Sequence, residues 1–89
     1  MSFRIMFSKE ARDLIKKLDN SGKIKLEKRL LKLSEAPFHY GKRLKSVEEL
    51  FSLKVGKSGL RVIFEINRKT KTVFVITLGP RETIYQKID

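Results

Sequence analysis

The chain contains no cysteine and no tryptophan, a single histidine and only two prolines. Without cysteine there is no disulfide framework, no thiolate nucleophile and no thiolate zinc site. One histidine excludes a His-rich metal centre and any paired-histidine acid–base machine. No paired carboxylates and no metal-ligand spacing stand out, so neither metal nor cofactor is expected. The longest apolar stretch, Val73 to Leu78 with one Thr, falls far short of the ~20 residues of a membrane span. The start, Met1-Ser2-Phe3-Arg4, lacks the basic-then-apolar order of a signal peptide, so a soluble, cytoplasmic protein with no membrane partner is expected.

What is abundant is positive charge. Lys and Arg number 21 against 10 Asp and Glu, a formal net charge of +11 on 89 residues. That length suits one domain with a modest core, assigned here to 1–89. Self-repulsion at this charge opposes compaction. Part of the excess is ordinary solvated lysine, and the rest points to a polyanionic partner, nucleic acid first and an acidic protein second.

The pattern along the chain predicts an α+β fold in the order β-α-α-β-β-β. Phe3, Ile5 and Phe7 alternate as in a short strand. Ser8 offers a helix N-cap, with Glu10 in the first turn. Ala11, Leu14, Ile15 and Leu18 then fall on one helix face. Asp19-Asn20-Ser21-Gly22 reads as the turn that stops this helix. A second helix places Ile24, Leu26, Leu30, Leu31 and Leu33 inward and Lys25, Lys28, Arg29 and Lys32 outward, and Pro37 ends it. Residues 38–49 form an irregular basic connection. Three strands follow: Leu50 to Val55, Leu60 to Ile66, and Thr72 to Leu78. The last is apolar on both faces, as a central strand is. The expected architecture is an antiparallel sheet core with the helical hairpin packed on one face.

Strand register is the most informative inference. A four-residue loop at 56–59 pairs Val55 with Leu60, Leu53 with Val62 and Phe51 with Phe64, all apolar and all on one side. The same register sets Lys54 opposite Arg61 on the other side. At about 5 Å that repulsion is ~1 kcal/mol in water and ~3 kcal/mol at an effective dielectric of 20. The fold has no need of such a pair, whereas a site that grips an anion does. A five-residue loop at 67–71 would pair Ile66 with Thr72 and Arg61 with Thr77, and the exit at Gly79-Pro80 would carry Arg81 past the same end. Lys54, Arg61, Arg81 and Lys57 could then converge, with planar guanidinium groups suited to phosphate.

Weaker features fall to simpler readings. Gly56-Lys57-Ser58 echoes a P-loop but sits in a hairpin, not at a strand-to-helix turn. His39 has no carboxylate to orient it and reads as a surface or packing residue. Most phenylalanines occupy core phases, leaving Phe38 and Tyr40 as candidates to stack on a base.

The segment from Phe51 through Gly56-Lys57-Ser58-Gly59-Leu60-Arg61 to Phe64, with Thr77-Leu78-Gly79-Pro80-Arg81 and the following Tyr85, resembles the RelE/ParE toxin superfamily. More narrowly it is similar to the RelE-type messenger-RNA interferases. The short first strand, the helical hairpin closed by a proline and the basic Lys42-Arg43-Leu44 loop agree over nearly the whole chain. The resemblance implies a type II toxin that cuts messenger RNA in the ribosomal A site without metal, by attack of a ribose 2′-OH on the adjacent phosphate. It implies Lys54 acting at the 2′-oxygen, Arg61 and Arg81 on the scissile phosphate, and Tyr85 orienting the nucleotide or moving a proton. Lys42, Arg43, Lys45 and Lys57, with the second-helix cations, would bind RNA. The implied partners are the ribosome, messenger RNA and a RelB-like antitoxin in a heterodimer or heterotetramer. One departure is Ser52, where the family pattern has a second lysine. Lys57 is a candidate replacement for that charge. ParE-type toxins share the fold, lack the nuclease set and act on DNA gyrase, so that activity is the alternative, with a simple RNA-binding module behind it.

Overall fold

A computed structural model describes residues 2–43, 50–57, 59–80 and 82–84. Strand β1 (Arg4–Phe7) leads into α1 (Lys9–Lys16) and α2 (Asn20–Glu35). A short helix α3 (Pro37–Tyr40) and a two-residue strand β2 (Lys42–Arg43) precede the long strands β3 (Leu50–Val55), β4 (Leu60–Asn67) and β5 (Thr72–Pro80). The strands form one five-stranded sheet in the order β1-β5-β4-β3-β2. Only β1 runs parallel to its neighbour, β5, and the other pairings are antiparallel. No helix among the described residues is long and apolar enough to cross a membrane.

Local chemistry explains most element ends. The Ser8 hydroxyl accepts from the Ala11 amide and starts α1 as expected. The same hydroxyl donates to the Ile76 carbonyl at 2.6 Å, tying the helix start to β5. The cluster 19–22 differs from its expected role. α1 already ends at Lys16, and Asp19 caps α2 by accepting from the Gly22 amide, so the cluster begins a helix rather than stopping one. An aspartate followed by small polar residues suits an N-cap as well as a turn.

The helices cover one face of the sheet. Leu53, Val55, Val62, Phe64, Val73 and Val75 meet Ala11, Leu26 and Leu33 in the core. Ile24 and Leu31, expected inward, are 53% and 62% exposed. They lie seven residues apart, about two turns, on a stripe displaced from the 26–30–33 face that meets the sheet. The first half of the segment after α2 is more regular than the sequence suggested. α3 and β2 occupy it, and Gly41 joins them where a Cβ would stand 2.6 Å from Phe64 Cζ and 2.8 Å from the Pro37 carbonyl oxygen.

Candidate functional site at the β3–β4 hairpin

The first hairpin has the register the apolar pairs demand: Val55 with Leu60, Lys54 with Arg61, Leu53 with Val62 and Phe51 with Phe64. Phe51 and Phe64 stack nearly parallel, 5.8 Å between centroids. The loop is held by Gly56 and Gly59, both at positive φ (65° and 85°), a conformation that costs glycine little.

The second hairpin differs. Asn67 pairs with Thr72, Ile66 with Val73, Ile63 with Thr77 and Arg61 with Gly79, not with Thr77. Two single-residue effects combine. The loop is one residue shorter, because the Asn67 side chain accepts from the Thr70 amide and Lys71 adopts a left-handed φ of 52°. A bulge at Ile63/Phe64 then leaves Ile76 as the extra residue of β5, where its carbonyl takes the Ser8 hydroxyl. Together they shift Arg61's partner by two positions, so Thr77 stays on Arg61's face, one cross-strand row away.

Lys54, Arg61 and Gly79 therefore form one row on the face away from α1 and α2. Ser52, Ile63 and Thr77 form the next, all buried, at 3%, 1% and 7% exposure. Lys54 is exposed and Arg61 half-buried. Arg61 Nε and Thr77 Oγ1 are buried and make no hydrogen bond. A buried donor without a partner costs about 1–3 kcal/mol, so two on one face call for a reason. Ile84, in the helical turn 82–84, is buried and packs over Gly79.

The remaining expected residues divide three ways. Lys57 is exposed in the hairpin turn. Lys42 and Arg43 lie in β2, in register with Ser52 and Phe51 of β3. Lys45, Arg81 and Tyr85 lie outside the described residues, although Pro80 pairs with Leu60 and so delivers the chain to this end of the sheet.

Two surface expectations change. Arg29, grouped with outward-facing cations, donates from Nε to the Lys54 carbonyl at 3.2 Å and lies 5.7 Å from the Tyr40 ring centroid. It fastens α2 to the end of β3. Tyr40, beneath it, packs against the core rather than standing free, whereas Phe38 is 44% exposed. The sequence offered no signal for the Arg29 contact, because it joins residues 25 positions apart. Thr77's burial had one: it is a polar residue inside an otherwise apolar central strand.

No family model matches the chain. The mRNA interferase toxin RelE of Escherichia coli K12 is 27% identical over 82 residues, which cover 92% of this chain and 86% of that protein. A RelE-like toxin protein of E. coli is 23% identical over the same share. Among solved structures, the intact E. coli RelBE toxin–antitoxin complex matches with a TM-score of 0.80 at 25% identity, covering 89% of this chain and 96% of that one. The isolated E. coli RelE toxin also gives 0.80 at 25% identity, over 97% and 94%. The archaeal RelE–RelB complex of Pyrococcus horikoshii shares the fold, with a TM-score of 0.71 at 20% identity over 91% and 97%. The similarity spans nearly the whole of each chain, in sequence and in fold alike, so that from end to end this chain resembles the RelE toxins.

Proposed function

We propose that the chain is the toxin of a type II toxin–antitoxin module and an endoribonuclease that cleaves messenger RNA in the ribosomal A site. One observation carries this reading: Lys54 and Arg61 face each other across a register that the opposite, apolar face fixes. Two opposed cations disfavour the empty protein and favour one with a phosphate between them. The buried, unbonded Arg61 Nε points the same way.

The chemistry needs no group beyond side chains of these types. The ribose 2′-oxygen loses its proton and attacks the adjacent phosphorus. The P–O5′ bond breaks and the 5′-oxygen takes up a proton, leaving a 2′,3′-cyclic phosphate and a 5′-OH. Lys54 acts at the 2′-oxygen, as the base or as the charge that stabilises the oxyanion. Arg61 and Arg81 bind the phosphate and the extra negative charge it gains in the transition state. Tyr85 orients the nucleotide or moves a proton. Lys42, Arg43, Lys45 and Lys57 bind the RNA around the cut.

RelE relatives crystallised with RelB support a RelB-like antitoxin as the protein partner, in a heterodimer or heterotetramer. A net charge of +11 favours an acidic one. A protein that acts on translating ribosomes acts in the cytoplasm.

Primer extension on a translated message tests the reading. Cuts confined to translated regions are expected with the wild type, and Arg61→Ala should abolish them while the protein stays folded. Wild-type-like cutting by that variant would remove Arg61 from the site. Inhibition of gyrase supercoiling without any RNA cleavage would transfer the protein to the ParE-type activity.

A further inference from the structure

The Lys54–Arg61 face has a second feature at its other end. Large exposed apolar side chains among the described residues are Met6, Ile24, Leu31, Phe38 and Phe74. Met6, Phe38 and Phe74 line one open cavity of about 900 Å³, where β4 turns into β5. Arg4, Arg68 and Lys69 border the same cavity, against one carboxylate, Glu65. The Arg68 guanidinium lies over the Phe38 ring, 4.4 Å from its centroid, so a cation and an aromatic plane are already stacked at the cavity wall. Phe74 stands opposite both Met6 and Glu65.

Arg4, Met6, Glu65 and Phe74 continue the candidate site, whereas Phe38 packs edge-on against Phe3 and Phe51 of the helix-covered face, so the Arg68–Phe38 stack lies where the cavity reaches round the end of the sheet. β4 alternates without interruption, since the bulge residue belongs to β5, and Glu65 therefore shares the face of Arg61. They are four positions apart, about 13 Å of strand. An exposed aromatic with cations in excess around it suits an unpaired nucleic acid strand: a base stacks on the ring while cations hold the backbone. A protein-binding patch would be expected to lack this charge excess at its apolar centre.

We propose that this cavity is a second RNA subsite, which takes unpaired bases of the message on one side of the phosphate held at Lys54 and Arg61. Phe74 is the platform, and Arg4, Arg68 and Lys69 contact the backbone. The proposal rests on the message-cleaving reading given above.

Steady-state cleavage on translating ribosomes tests it, with thermal unfolding of each variant alongside. Phe74→Leu keeps the apolar volume and removes the ring, Phe74→Tyr keeps the ring, and Arg68→Gln removes the cation. Phe74→Leu and Arg68→Gln should each raise KM at least about fivefold at nearly unchanged kcat, and Phe74→Tyr should restore it. A message carrying 4-thiouridine near the cut should cross-link to the peptide containing Phe74. Unchanged KM with properly folded variants, or no cross-link to that peptide, overturns the subsite. Unchanged KM with lost antitoxin binding assigns the surface to a protein and overturns it as well. Absence of any cleavage by the wild type overturns the message-cleaving reading itself, and this proposal with it.

Discussion

The two faces of the sheet follow opposite rules. The helix-covered face pairs like with like: Phe51 on Phe64, Leu53 on Val62 and Val55 on Leu60, closed over by Ala11, Leu26 and Leu33. The other face opposes Lys54 to Arg61 and buries two polar atoms without hydrogen bonds. The first arrangement minimises free energy in the isolated chain. The second raises it locally, as sites shaped for a charged ligand do. Stability and chemistry are thus assigned to opposite sides of the same strands, and substitutions should separate them.

The sharpest contrast comes from Phe64, fully buried on the covered face. Phe64→Ala should lower unfolding free energy by roughly 3–5 kcal/mol in urea titrations, a large part of what a domain this size has. On the opposite face, Arg61→Leu should reduce message cleavage by roughly 10²–10³-fold, with an unchanged or higher denaturation midpoint. A midpoint lowered as far as that of Phe64→Ala would break the division between faces. Next in size is the lysine that position 52 lacks. Register places Lys42 beside Ser52, while Lys57 lies out in the turn. Lys42→Ala should therefore slow cleavage about tenfold, the loss expected for one charge-assisted contact, and Lys57→Ala by less. Equal losses would remove the distinction. The smallest effect belongs to Thr77→Val, which replaces an unbonded buried hydroxyl by a methyl group. It should change stability by less than about 1 kcal/mol, in the stabilising direction.

These faces were unequally legible in the sequence. The β3–β4 register followed from three apolar pairs, because a one-residue slip would turn all of them to solvent. The β4–β5 register did not, because the shorter loop depends on an Asn67 side-chain contact and the bulge on a Ser8 hydroxyl 68 residues from its acceptor. Periodicity carries neither interaction. Each effect alone would have turned Arg61 and Thr77 to opposite faces, and together they restore the facing, so the face was right although the partner was not. Ile24 and Leu31 were misplaced for a related reason: a helix with two apolar stripes does not say which one meets the sheet. Lys54 and Arg61 were legible because their conflict is local to one hairpin. Arg29's hold on the Lys54 carbonyl was not, since it is a tertiary contact to backbone.

Gly41 joins the two faces mechanically. The Phe64 ring and the Pro37 carbonyl fill the space a side chain at 41 would need. Strand β2, paired with β3, begins at the next residue. Any binder that disarmed the protein by lifting β2 would have to withdraw backbone from against the central ring of the core. A binder meets less resistance by covering the basic face in place, which leaves the protein folded beneath it.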